Sequence, residues 1–299
     1  MSKNTKHLIA SGCSYTAHDG TETHGFNKSW SYRILDQLDE SLWPVKLHNV
    51  AITGVGNYTV SMNVIAQVEH LLSQGISSDD IVAVVQWTGL FRPTKYNEDH
   101  TRRYVPFSEI DADSPLKQLS KKYHPGFVDS ASNRDEKFWK FYFINYYTTP
   151  AAFIDNLNVI LKTQWYFQSK GIQYKMFNGW DIFTSPDGEP GDHGKDFMLR
   201  PNQFSDEGGY TNVDNRLLKD MYPWSEVFWD MLDFDNYWFF DNQDIKYGGL
   251  TQWVQNNIKD PREWYMSFPD DVHPSNKAHK KFSTHVITPL VIKMLEEKS

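Results

Sequence analysis

His7-Leu8-Ile9-Ala10-Ser11-Gly12-Cys13-Ser14-Tyr15-Thr16 is the stretch that decides the fold. Its apolar run halts at Gly-Cys-Ser, the pattern of a buried strand emptying into a tight turn. Gly12 suits a turn whose backbone angles a side chain would resist. A serine just beyond the carboxyl end of a strand sits where open α/β sheets place their chemistry. A serine nucleophile needs a base, and the most persuasive one lies near the other end of the chain. There, in Asp270-Asp271-Val272-His273-Pro274, an acid three residues ahead of a histidine can orient the imidazole.

Working outward, residues 45–52 read as a second strand that ends at Thr53-Gly54-Val55-Gly56-Asn57. Asn57 is placed to cap a helix whose apolar stripe is Val60, Val64, Ile65, Val68 and Leu71, with Gly75 closing it. Residues 81–87 are almost continuously apolar, as a central parallel strand covered on both faces must be, and they stop at Thr88-Gly89. Helical spacing falls at 30–38, after Ser29 as a candidate cap, and again from Pro150 to Gly171. A fourth strand is expected at 172–177 and a fifth at 237–240. A helix is expected at 249–258, and a long closing helix from Pro274 onward. Strands that end in polar or glycine turns and alternate with helices indicate right-handed crossover units. The expected architecture is α/β and three-layered, flavodoxin-like, with about five parallel strands. It forms one domain over 1–299, carrying two aromatic-rich insertions at about 92–147 and 181–247.

Bulk properties narrow the function. Of the 299 residues, 39% are hydrophobic and 15% aromatic, enough to bury a substantial core. A net charge of −8 argues against nucleic acid or an anionic membrane as the partner. No run approaches the roughly 18 apolar residues of a membrane span. The amino terminus has no signal-peptide hydrophobic region, so a cytoplasmic location is the default expectation. Cys13 is the sole cysteine, which excludes an internal disulfide. His18, Asp19, His24, His273 and His279 lack the i, i+4 pair of a helical zinc site, so neither metal nor other cofactor is expected.

Ser14, Gly54 and Thr88 stand at three strand ends, and His273 comes from the last loop. That set resembles the SGNH (GDSL-like) hydrolase superfamily. Gly12-Cys13-Ser14-Tyr15-Thr16 is similar to its first block, with cysteine at the usual aspartate position. Asn49-Val50-Ala51-Ile52-Thr53-Gly54 is similar to the second, and Asp270-Asp271-Val272-His273-Pro274 to the last. The resemblance implies a serine esterase in which Ser14 is the nucleophile, His273 the base and Asp270 the orienting acid. It also implies an oxyanion hole from the amides of Ser14 and Gly54. The third block departs: Gln86-Trp87-Thr88-Gly89 stands where the superfamily offers Gly-x-Asn-Asp, so Thr88 falls about where an asparagine donor belongs. Asn57 is the substitute donor considered. The short first block and the Trp87-Thr88 strand end are similar to viral and phage members, which implies a virion-associated enzyme as an alternative setting.

Each assignment has a plainer rival. Ser14 can bond within a turn, Cys13 can be the nucleophile or simply pack beneath the turn, and Asp271 can replace Asp270 as the acid. His279 reads as a surface helix residue. Rings crowd both insertions: Trp139, Phe141, Tyr142, Phe143, Tyr146 and Tyr147 in the first, and Tyr222, Trp224, Phe228, Trp229, Tyr237 and Trp238 in the second. They suit stacking on sugars, a small core of their own, or a subunit or particle interface. The expected substrate is therefore a small acyl ester, such as acetyl on a carbohydrate, with Tyr15 and Trp87 near it. The alternatives are an inactive SGNH-like binding or structural module and an acyltransferase using the same serine.

Overall fold

The computed structural model describes residues 5–21, 27–90, 92, 149–185, 216–240, 248–267 and 271–297. Four strands form the body of the sheet: β1 (Lys6–Ser11), β2 (Val45–Asn49), β3 (Ile81–Trp87) and β4 (Gln173–Asn178). Two-residue pairs follow, β5 (Thr184–Ser185) with β6 (Arg216–Leu217), and then β7 (Tyr237–Trp238), which joins the main sheet. The sheet order is β2-β1-β3-β4-β7 with every pairing parallel, the flavodoxin-like arrangement. Chain order reverses direction between β1 and β3, and ligands of such sheets bind at that switch point, outside the carboxyl ends of the strands.

Burial explains the composition of the strands. All seven residues of β3 are buried, because the strand is central and covered on both faces. One face carries α3 (Asn57–Ser73) and α4 (Thr149–Lys170), tied by Thr163 Oγ1 donating to Ser61 Oγ at 2.7 Å. The other carries α2 (Trp30–Leu35), α8 (Asn276–Phe282) and α9 (Thr288–Glu297), with a π-helical turn at Ser283–Ile287 between the last two. The short α5 (Leu218–Met221) and α6 (Glu226–Asp230) lead into β7, and α7 (Leu250–Asn257) follows it.

Several expectations shift. The closing segment is not one helix from Pro274: β8 (Tyr265–Ser267) pairs antiparallel with β9 (Asp271–Pro274), and α8 begins only after Ser275 caps it. Asn57 does not cap α3. Gly56 holds the cap position and Asn57 is the first helical residue. Residues 93–148, 186–215 and 241–247 lie outside the described residues, and with them most of both insertions and every ring named in the first. The rings of the second build a core: Trp229 meets Phe183 edge-on at 5.1 Å, and Tyr237 stacks on Phe239 at 4.6 Å. Of the six, Trp224 is the one left largely exposed, at 53%. Among the described residues, no helix is long and apolar enough to cross a membrane.

Candidate active site

β1 ends at Ser11, and the chain turns through Gly12 and Cys13 into the single turn of α1 (Ser14–Ala17). Gly12 is required here by crowding rather than by a positive φ. A Cβ on it would overlap Thr16 Oγ1 and lie 2.9 Å from Gln86 Oε1. Ser14 opens α1, in which the Thr16 and Ala17 N–H groups both donate to the Cys13 carbonyl, at 2.9 and 3.1 Å. Ser14 is 5% exposed.

His273 reaches it from β9. Its Nε2 lies 2.7 Å from Ser14 Oγ, across 259 residues of sequence. Residues from both ends of the chain thus meet in one hydrogen bond at the carboxyl edge of the sheet. β9 is held at its carbonyl side by Asn27, whose Nδ2 donates to Pro274 O at 3.2 Å and lies 3.4 Å from His18 Nδ1. The imidazole has aromatic neighbours on two sides: Tyr15 edge-on at 5.6 Å and His18 tilted at 5.6 Å. Asp270 lies outside the described residues. Asp271 lies in β9 by its backbone.

Thr16 fixes the turn that carries Ser14. Its hydroxyl accepts from the Trp30 indole at 3.1 Å and donates to Gln86 Oε1 at 2.9 Å. Its carbonyl accepts from Ser29 Oγ (2.8 Å), Ser31 Oγ (3.0 Å) and Asn49 Nδ2 (2.7 Å). Gln86 in turn donates to the Trp87 carbonyl at 2.6 Å and receives the Cys13 thiol at 3.5 Å. Cys13 is completely buried beneath the turn, away from any attacking position. Gln86 was not singled out from sequence. Its signal is being the one amide in an otherwise apolar central strand.

The remaining strand ends differ in what they offer. Gly54 has φ +77°, which a side chain resists, and the loop before it is tied to the nucleophile turn by Ile52 N–H donating to Gly12 O at 3.2 Å. Asn57 has no amide hydrogen to spare as an oxyanion donor. One goes to the Thr88 carbonyl at 2.8 Å and the other to Asn156 Oδ1 at 2.6 Å, while its oxygen accepts the Thr88 N–H at 2.7 Å. Thr88 Oγ1 is buried and has no partner among the described residues. Trp87 is fully buried, so it does not line a substrate surface: its strand is sandwiched between helices. Tyr15 is 2% exposed, and burial raises its hydroxyl well above the usual phenol range.

His279 is not a surface residue. It lies on the inward face of α8 with Ala278 and Phe282, fully buried. Burial, then the neighbouring His18, His273 and Arg33 charges, lower its pKa to about 3, so it is neutral at pH 7. His18 is also buried, 8% exposed. Among the described residues, no group of three or more His, Cys, Asp or Glu is arranged to hold a metal.

The fold and site together define a parallel α/β sheet with a serine–histidine pair at its switch point. No protein-family model matches the chain, and no curated protein matches it. Among solved structures, that of the protein YxiM from Bacillus subtilis is similar at 10% identity and a TM-score of 0.45. The match covers 97% of this chain and 57% of that one. This chain therefore spans little more than half the length of that protein, and a likeness at this level carries no argument about activity.

Proposed function

We propose that the chain is a serine ester hydrolase with Ser14 as nucleophile and His273 as general base. The 2.7 Å hydrogen bond between them carries the reading. In the forward step His273 Nε2 takes the Ser14 Oγ proton as the oxygen attacks an ester carbonyl. The amides of Ser14 and Gly54 steady the oxyanion, and the Thr88 hydroxyl, buried and unpartnered among the described residues, is the side-chain candidate to join them. His273 then protonates the departing alcohol, and water, deprotonated by the same imidazole, releases the acid. Asp270, by its spacing, is the acid assigned to hold the imidazole. The substrate assigned is a small acyl ester. Tyr222, Trp229 and Tyr237 are buried and lend no surface for stacking on a sugar, which leaves the acylated carbohydrate resting on the exposed Trp224 and the half-buried Phe228 and Trp238.

Fluorophosphonate labelling tests the reading. Wild-type protein is expected to be labelled at Ser14, Cys13→Ala to keep the label and Ser14→Ala to lose it. A folded wild type that takes no label overturns the esterase. It would favour a binding module that keeps the fold, a reading that the fully committed amide of Asn57 supports.

A further inference from the structure

We propose that Arg92 is a specificity-determining residue that selects esters carrying an anionic group, carboxylate or phosphate, beside the scissile bond. The proposal rests on the serine hydrolase reading and extends it to the substrate. Arg92 follows the β3 strand end and is held from two directions. A Cβ on Gly56 would overlap the Arg92 carbonyl, so the absence of one lets the Arg92 backbone press against the loop between β2 and α3. Its guanidinium lies 5.2 Å from the centre of the Trp180 ring, which stands just past the end of β4. A long side chain normally surrenders considerable rotamer freedom on binding a ligand; here packing has already restricted it.

Among the described residues the head group is poorly neutralised. Its one hydrogen bond among the described residues, from Nη1 to the Val55 carbonyl, is long at 3.5 Å. Among the described residues no carboxylate pairs with it, although the chain carries 38 acidic residues against 30 Lys and Arg. A half-buried guanidinium in a chain with excess acid, with a flat ring beneath it and several N–H groups uncommitted among the described residues, is arranged to receive a bidentate anion.

The location ties it to the reacting atoms. Arg92 stacks on Trp180, Trp180 meets Tyr15 edge-on at 5.3 Å, and Tyr15 meets His273 at 5.6 Å. Three ring contacts therefore join the cation to the general base, and Tyr15 follows Ser14 in the chain. The net charge of −8 repels anionic substrates at a distance, but salt screens that field beyond about 8 Å, so a local cation decides the preference.

Two matched ester pairs test this. Para-nitrophenyl hemisuccinate against para-nitrophenyl butyrate places the charge on the acyl side. Para-acetoxybenzoate against its methyl ester places it on the leaving group. In wild type, kcat/KM should favour the anionic member of one pair, which identifies the side. Arg92→Gln should cut that anionic-to-neutral ratio roughly tenfold or more, and Arg92→Lys should restore part of it. A second readout does not need turnover. In the Ser14→Ala background, calorimetric titration with intact hemisuccinate and para-acetoxybenzoate should show one of them binding, and Arg92→Gln should abolish that binding. Ratios and titrations unmoved by Arg92→Gln overturn the anion proposal even where Ser14 is labelled and active. An unlabelled Ser14 in wild type overturns the hydrolase reading, while the titration still decides whether Arg92 takes an anion.

Discussion

Asn57 and Thr88 are locked to each other by a reciprocal pair of hydrogen bonds, side-chain amide to main-chain carbonyl at 2.8 Å and main-chain amide to side-chain carbonyl at 2.7 Å. The pair joins the first turn of α3 to the end of β3, so it sets how two strand-end loops face one another. Both groups are buried, which makes the bonds costly to lose.

Asn57→Ala should therefore act on stability. It leaves the Thr88 amide and carbonyl and Asn156 Oδ1 without their partner in a buried site, for a cost of about 2–4 kcal/mol. Urea unfolding should show the loss as a lower midpoint with an unchanged slope. A variant that kept wild-type stability and lost only turnover would mean that Asn57 is an oxyanion donor after all.

Much of this was legible from local pattern. The apolar run at 81–87 gave a central strand because burial on both faces leaves no room for alternation, and the Gly54 turn was marked by chemistry that only glycine tolerates. The Ser14–His273 meeting was legible as a strand-end serine in need of a base and a histidine preceded by an acid, with the resemblance pairing them, since no local rule brings residues 259 positions apart together. What failed were inferences about which way a side chain faces. Asn57 looked like a cap because asparagine often is one, yet its amide found better partners across the loop. His279 looked solvated because histidine usually is. Its inward direction depends on where α8 packs, and sequence periodicity over seven residues is too short to fix that. Trp87 looked available at a strand end, but helices cover both faces of its strand.

Ser14 and His273 should behave as one unit. Each of Ser14→Ala and His273→Gln is expected to lower kcat by several orders of magnitude, on the order of 10⁴–10⁶. The double variant should lose no more than the worse single variant, because removing the hydroxyl leaves the imidazole nothing to deprotonate. Additive losses in ester turnover would show that the two act in separate steps.

Acid should destabilise the protein through histidines held neutral. His48, whose Nε2 lies 2.9 Å from His7 Nδ1, has its pKa lowered to about 4 by burial, then by the charges of His7, Lys46 and His70. His279 is lowered to about 3. Because the folded values lie below the unfolded value of about 6.5, the unfolded chain binds more protons in this range. The stabilisation is complete above about pH 6.5 and fades as pH falls toward 4 and then 3, levelling off below. Asp80 opposes the effect slightly at His7, where its charge raises the pKa against burial and Lys46. His279→Phe should flatten the curve of urea midpoint against pH from about 6.5 down to about 3, and His48→Gln only its part from about 6.5 down to about 4. A wild-type midpoint that stays constant from pH 7 to 4 would contradict both assignments.

Thr16 offers the sharpest separation of positioning from chemistry. Thr16→Val keeps the shape but removes the hydroxyl, so Gln86 Oε1 loses its strongest donor and the Trp30 indole loses its acceptor, both in a fully buried site. Thr16→Ser keeps the hydroxyl and gives up a methyl group. If the network aims Ser14, the valine variant should label with a fluorophosphonate at least several-fold more slowly while remaining folded, and the serine variant should recover most of the rate. The binding of a neutral ester in the Ser14→Ala background should change little, because the network lies beneath the turn rather than against ligand. A valine variant that labels at the wild-type rate would reduce Thr16 to a contributor to stability alone, and Gln86 with it.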